Sequence, residues 1–208
     1  MTLAPPPAGE RTTLTAVGTT AGTEISRLQR GYLGQRSDAV AALARLRRGA
    51  GRDASAVPDL WGLLDVDPLY EQPDLHQTRA ENALYTAMTL WAVHQQSQGN
   101  PMHRRSQELG AAVRQLMRAG EIDGAILKRF VRTGTAPTLT LLSVRLRELV
   151  TLLRRDGIGL DYAVLADQLY WWQFPGRADG VRRAWGRSFH AFRRDAETSP
   201  PADGPTTS

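Results

Sequence analysis

Residues 139–157 read LTLLSVRLRELVTLLRRDG, and this stretch decides the fold class. Leu139, Leu142, Leu146, Leu149, Val150 and Leu153 recur at three- and four-residue intervals, the spacing that lines up side chains on one face of an α-helix. Arg145, Arg147, Arg154 and Arg155 fall largely off that stripe, so one face is apolar and the rest is basic. A strand would need alternation with a period of two, which is absent here.

The same period continues outward in both directions. Downstream, Asp161 is placed to cap a helix in LDYAVLADQLYWWQ, and VRRAWGRSFHAF predicts a last helix. Upstream, EIDGAILKRFVRTG carries Ile122, Ile126 and Phe130 and ends in a glycine stop. Before it, SQELGAAVRQLMRAG offers a serine cap and apolar Leu109, Val113, Leu116 and Met117. TRAENALYTAMTLWAVHQQ places Ala83, Leu84, Ala87, Met88 and Trp91 on one stripe, with His94 near its end, and predicts the central buried helix. Ser37 is read as the cap of SDAVAALARLRRGAG, with Val40, Leu43, Ala44 and Leu46 as its apolar positions and Gly49 as its stop. Pro58 marks a further helix start before the acidic turn LLDVDPLYEQPD.

No Asn-Gly hairpin signal and no internal repeat interrupts this pattern. The expectation is an all-α fold of about seven to nine helices, as one antiparallel bundle or as two packed sub-bundles joined by short loops. Residues 1–20 and 196–208 are rich in Pro, Gly and Thr without periodicity, and predict tails flanking a helical domain over 21–195.

Composition narrows the chemistry. With 208 residues and 41% hydrophobic side chains, the chain is long enough for one domain with a substantial core. It has no cysteine, which excludes disulfides and thiolate metal ligands, and its four histidines (His76, His94, His103, His190) are too scattered to predict a zinc site. His94, on the apolar stripe, reads as a core or boundary histidine. Asp65, Asp67, Glu71 and Asp74 lack the spacing and turn glycine of a calcium loop, and Pro68 and Pro73 stiffen them. No phosphate loop, dinucleotide fingerprint, zinc-protease or serine-hydrolase motif occurs. The residues therefore predict neither a catalytic set, nor a metal, nor a cofactor. A charged signal region ahead of an apolar run is also missing, as is any long apolar span, so a soluble, cytoplasmic chain without a membrane partner is expected.

Charge supplies the remaining functional signal. Lys and Arg total 26 against 21 Asp and Glu, and a single one of the 26, Lys128, is lysine. Residues 27–52 hold seven basic residues against Asp38, and residues 104–155 hold eleven against four acids. Residues 53–81 reverse the sign, with seven acids and Arg79. Such segregation suits a protein that turns one face to a polyanion. Helix-borne arginines neutralise phosphates and confer salt-dependent affinity, but read no sequence. The tryptophans 91, 171, 172 and 185 read chiefly as core, although an indole at a surface edge can stack on a base.

The order of motifs is informative beyond each one alone. An ARLRRG turn precedes ENALYTAMTLWAVHQ and LGAAVRQL. KRFVR follows, then VRLRELVTLLRRDGIGLDYAVLADQLYWW and a closing VRRAWGRSFHAF. Across about residues 25–192 this succession resembles the CasB small-subunit family of the type I-E CRISPR surveillance complex, Cascade. The resemblance implies a helical, non-enzymatic subunit of an RNA-guided antiviral complex. Its partners would be guide RNA, target DNA, the displaced DNA strand, other Cascade subunits and a second copy of itself. It would help stabilise the R-loop, leaving cleavage to a recruited helicase-nuclease. Carried over by position, the basic surface would comprise Arg45, Arg47 and Arg48; Lys128, Arg129 and Arg132; Arg145 and Arg147; and Arg182, Arg183 and Arg187. The acidic loop and the tails lie outside that resemblance. Two other readings compete. A helical DNA-binding transcriptional regulator would require a recognition helix with polar and basic residues in its first turns, and no helix pair fits. A helical enzyme would require a clustered acid, base and nucleophile.

Overall fold

Helices arise wherever the apolar spacing of three and four predicts them. The structure, a computed structural model, describes residues 13–50, 62–117 and 121–198. Among them are nine helices: α1 (Ala16–Leu33), α2 (Ser37–Gly49), α3 (Asp67–Tyr70), α4 (Gln77–Gln95), α5 (Leu109–Gln115), α6 (Gly124–Gly134), α7 (Leu139–Arg155), α8 (Tyr162–Trp172) and α9 (Ala178–Thr198). The described residues contain no strand, only one isolated bridge between His103 and Leu160. The all-α expectation holds. The helix start expected at Pro58 lies outside the described residues.

Helix α4 is the axis of the molecule. Every residue from 83 to 95 is buried, so the expected stripe is a helix enclosed on all sides by α1, α2, α7 and α8. Trp91 is fully buried, and removing a side chain of that class from water is worth about 3 kcal/mol. The buried apolar side chains form one continuous cluster from Val17 in α1 to Phe189 in α9. Where α5 meets α9 the backbones approach so closely that a Cβ on Gly110 would lie 2.0 Å from the Trp185 carbonyl oxygen. Glycine is the residue that fits there.

Several polar groups taken into this core have partners, whereas Nε2 of His94 and Nε2 of Gln107 are buried without one among the described residues. Gln95 accepts from the Met102 N–H (2.9 Å) and donates to the Asn100 and Gln98 carbonyls (2.9 and 3.1 Å). Gln29 accepts from the His103 N–H (2.9 Å). Asp161 caps α8 as expected, accepting from Ala163 and Val164, and also accepts from the Ser106 N–H (2.7 Å). The segment between α4 and α5 is thus pinned by side chains from three helices. His94 is fully buried and shares a 2.9 Å hydrogen bond with the Tyr162 hydroxyl. Burial pushes the imidazole down to about 4.

Three local expectations need correction. The boundary at residue 21 falls inside α1, because Thr15 caps that helix and Val17 is already fully buried. Asp167, from α8, supplies the stronger clasp: it accepts from the Thr15 N–H (2.8 Å), the Thr15 hydroxyl (2.6 Å) and the Gly18 N–H (2.8 Å). A carboxylate thus closes a helix N-terminus that the sequence left as tail. At the other end, α9 runs to Thr198, past the boundary expected at 196. The serine caps also shift. Ser37 is the first residue of α2 rather than its cap, and Ser106 adopts a positive φ in a turn while Glu108 precedes α5. Finally, α2 buries Ala39, Ala42, Leu43 and Leu46, which leaves Val40 exposed, and Ile122 lies exposed ahead of α6.

Candidate nucleic-acid interface

Helix α6 is built to present charge. Asp123 caps it, accepting from the Ala125 and Ile126 N–H groups (2.8 and 3.1 Å), and a carboxylate at that end also suits the helix dipole. Only Ile126 and Thr133 are buried, while Phe130 is partly buried and stacks on Phe189 at 5.6 Å between ring centroids. Lys128, Arg129 and Arg132 stand on the exposed remainder. Among the described residues, none of the three has a side-chain hydrogen bond or ion pair.

Helix α7 lies against α6, and the two flank a groove of about 610 Å³ lined by Arg129, Arg132, Val144, Arg147, Glu148 and Leu152. Arg147 does more than line it. Its guanidinium donates to the Ala50 carbonyl (3.3 Å) at the end of α2, which ties the groove to the turn carrying Arg45, Arg47 and Arg48. Arg45 and Arg48 are exposed and Arg47 half-buried. The fold thus gathers three sequence segments into one basic track, running from the last turn of α2, past Arg147, to the outer face of α6. Glu148 is the acid within the groove.

Two of the expected residues are held elsewhere. Arg145 donates to the Arg132 carbonyl and lies 3.5 Å from the Thr135 hydroxyl. Arg182, reaching over from α9, donates to the Gly134 carbonyl (2.6 Å), pairs with Asp179 and rests over the Trp172 ring at 5.0 Å. Both guanidiniums sit at the C-terminal end of α6, where unsatisfied carbonyls and the negative dipole end attract cations. Their charge anchors the helix that bears the free cations. Arg183 and Arg187 are exposed on α9, away from the α6–α7 groove lining.

Sequence reasoning passed over Arg114, which is buried in α5 and donates to the Glu121 carbonyl (3.3 Å). Nothing in its local pattern distinguishes it from an exposed arginine. The acidic residues 65, 67, 71 and 74 are exposed around α3, and the described residues contain no cluster of three or more metal-ligating side chains. No described helix is long and apolar enough to cross a membrane.

Fold and groove together define an all-α protein with a basic groove between two of its helices. The chain belongs to the CRISPR-associated Cse2 family, whose profile matches residues 42–190. It is similar to the crystal structure of CasB from Thermobifida fusca, at 50% identity over 86% of this chain and 99% of that one, with a TM-score of 0.79. The crystal structure of CasB from M. ruber is 28% identical over 84% of this chain and 97% of that one (TM-score 0.60). A chain of a CRISPR RNA-guided surveillance complex, 22% identical over 86% of this chain and 99% of its own (TM-score 0.64), shares the fold. No curated protein sequence matches. The family resemblance read from the order of motifs is therefore borne out.

Proposed function

We propose that this protein is a non-catalytic subunit of an RNA-guided CRISPR surveillance complex. It acts there by binding nucleic-acid backbones and so stabilising the opened target, meaning the guide RNA–target DNA heteroduplex and the displaced strand. The observation that carries the reading is the basic track described above. Among the described residues Lys128, Arg129 and Arg132 stand without side-chain partners beside Arg147, which leads to Arg45, Arg47 and Arg48. Exchanging a DNA duplex for an RNA–DNA heteroduplex is nearly balanced in free energy, so a few phosphate contacts made only in the open state suffice to tip it. Guanidinium groups are suited to this task, because they hold phosphate oxygens bidentately and read no base. Other subunits of the complex and a second copy of the chain are the protein partners this reading implies, and the chain operates in the cytoplasm.

The test is Lys128→Ala/Arg129→Ala/Arg132→Ala in the assembled complex. Open-complex formation on matched target DNA is measured at several salt concentrations, with assembly verified by size-exclusion chromatography. The triple variant should assemble normally, open target DNA poorly and show a log–log salt slope shallower by about three, roughly one per lost phosphate contact. Normal opening with an unchanged slope would sink the assignment of this face to nucleic acid.

A further inference from the structure

A second concavity, separate from the α6–α7 groove, lies between α8, α9 and the start of α1. Its volume is about 1140 Å³ and its walls include Leu14, Val164, Trp171, Val181 and Ala184. A site of this size admits a nucleotide-sized ligand. Trp171 is, with Phe174, a partly exposed member of a ring cluster, 5.1 Å from Tyr170 and 5.6 Å from Phe174 between centroids. These neighbours fix the indole at the cavity wall while leaving part of it open. Trp91, Trp172 and Trp185, by contrast, are buried.

The rim of the cavity is cationic. Arg177 is exposed, lines the opening and rests over the Trp171 ring at 5.1 Å. Arg187 is exposed on the α9 side. Neither has an ion-pair partner among the described residues. Of the two acids on the lining, Asp167 already accepts three hydrogen bonds from Thr15 and Gly18, and the N-terminus of α1 offsets its charge. Glu108 is half-buried on the wall; burial raises its carboxyl, while the nearby Arg187 guanidinium and the Ser188 hydroxyl act against that shift, so Arg187 reaches a phosphate only by leaving this acid. An aromatic plate with flexible guanidiniums at its edge is the combination that binds unpaired bases: the ring takes the π-face, and the cations take the phosphates on either side.

We propose that this cavity receives one unpaired nucleobase of a single strand, stacked on Trp171, with Arg177 and Arg187 on the flanking phosphates. The inference rests on the backbone-binding reading above and adds to it a place where a strand is held by its base. Arg177 swings from the indole to a phosphate as the base arrives, so the ring passes from one cationic partner to a stacking one.

The experiment compares the full-length protein's affinity for a short oligodeoxyadenylate and for an abasic strand of equal length, by fluorescence anisotropy. The base-bearing strand should bind about tenfold more tightly, the range expected for one stacked base. Trp171→Leu should abolish that preference without changing abasic binding, and Trp171→Phe should retain most of it. A strand carrying 2-aminopurine should show quenched fluorescence on binding the unaltered protein, a readout that needs no variant. Equal affinity for the two strands, or an unquenched probe, would overturn the proposal and point to a protein segment as the occupant. The Lys128/Arg129/Arg132 variant separates the two readings. Loss of affinity for both strands alike supports the groove whatever Trp171 does, whereas unchanged abasic binding removes the groove and leaves the base preference to be judged alone.

Discussion

Helices α4 and α6 are opposite solutions to the same local pattern. Both carry apolar residues at helical spacing, yet α4 is enclosed on every side from residue 83 to 95, whereas α6 buries two side chains and presents a lysine and two arginines outward. The difference teaches where each property of the molecule resides. Stability is concentrated in the enclosed helix, where any change of volume is felt by four neighbouring helices. The face proposed to meet nucleic acid sits on the helix whose outward side has no packing to lose. What keeps α6 in place is its narrow apolar side, Ile126 and Phe130, together with ties at its two ends, Asp123 at the N-terminus and Arg145 and Arg182 at the C-terminus.

Substitutions along this contrast should fall in a definite order. Trp91→Ala leaves a large cavity inside the α4 packing and should cost about 4 kcal/mol in urea unfolding; a loss below about 1 kcal/mol would erase the contrast. Next comes acid. His94 has a folded pKa of about 4 against an ordinary 6.5, so as pH falls the unfolded chain takes up the proton first. Stability from this group is complete above pH 6.5 and is lost progressively toward pH 4, by about 3 kcal/mol in all. Burial also depresses His103, which adds to the trend, while the raised carboxyls of Asp167 and Glu108 work against it at the acid end. Unfolding measured between pH 7 and pH 5 should therefore slope downward, and His94→Gln should flatten the slope. Phe130→Ala removes a half-buried ring that stacks on Phe189 and should cost about 2 kcal/mol, less than any comparable loss in α4. At the bottom, the Lys128/Arg129/Arg132 triple alanine variant should unfold within about 0.5 kcal/mol of the parent, because no apolar contact is removed.

Much of the fold was legible because it rests on local repetition. Leu142, Leu146, Leu149, Val150 and Leu153 are all buried in α7, as their spacing requires, and Asp161 caps α8. The misses share a cause. Val40 and Ala39 are neighbours in sequence but lie about 100° apart around α2, so a short helix with several small residues offers two plausible stripes, and packing selects the one containing Ala39, Ala42 and Leu46. The arginines show the same limit more sharply. Arg132 and Arg145 are alike as sequence, yet one faces outward and the other holds a carbonyl thirteen residues away. Arg182 reaches 48 residues back to Gly134. Whether a guanidinium is available depends on which carbonyls the fold brings beside it, and one-dimensional spacing does not contain that information. The motif order carried the family, but not the division of the basic residues between anchoring α6 and facing outward from it.

The clasp between Asp167 and the start of α1 has a consequence for how the protein is made. Thr15 and Asp167 are separated by 152 positions, and α1 and α8 pack along one another. On the ribosome α1 is the first of the described helices to emerge, and its opening amides then have the Thr15 hydroxyl but not yet the Asp167 carboxylate. The carboxylate that closes it leaves the exit tunnel most of a chain length later. Vectorial synthesis therefore leaves the start of α1 without its carboxylate clasp until α8 has been translated.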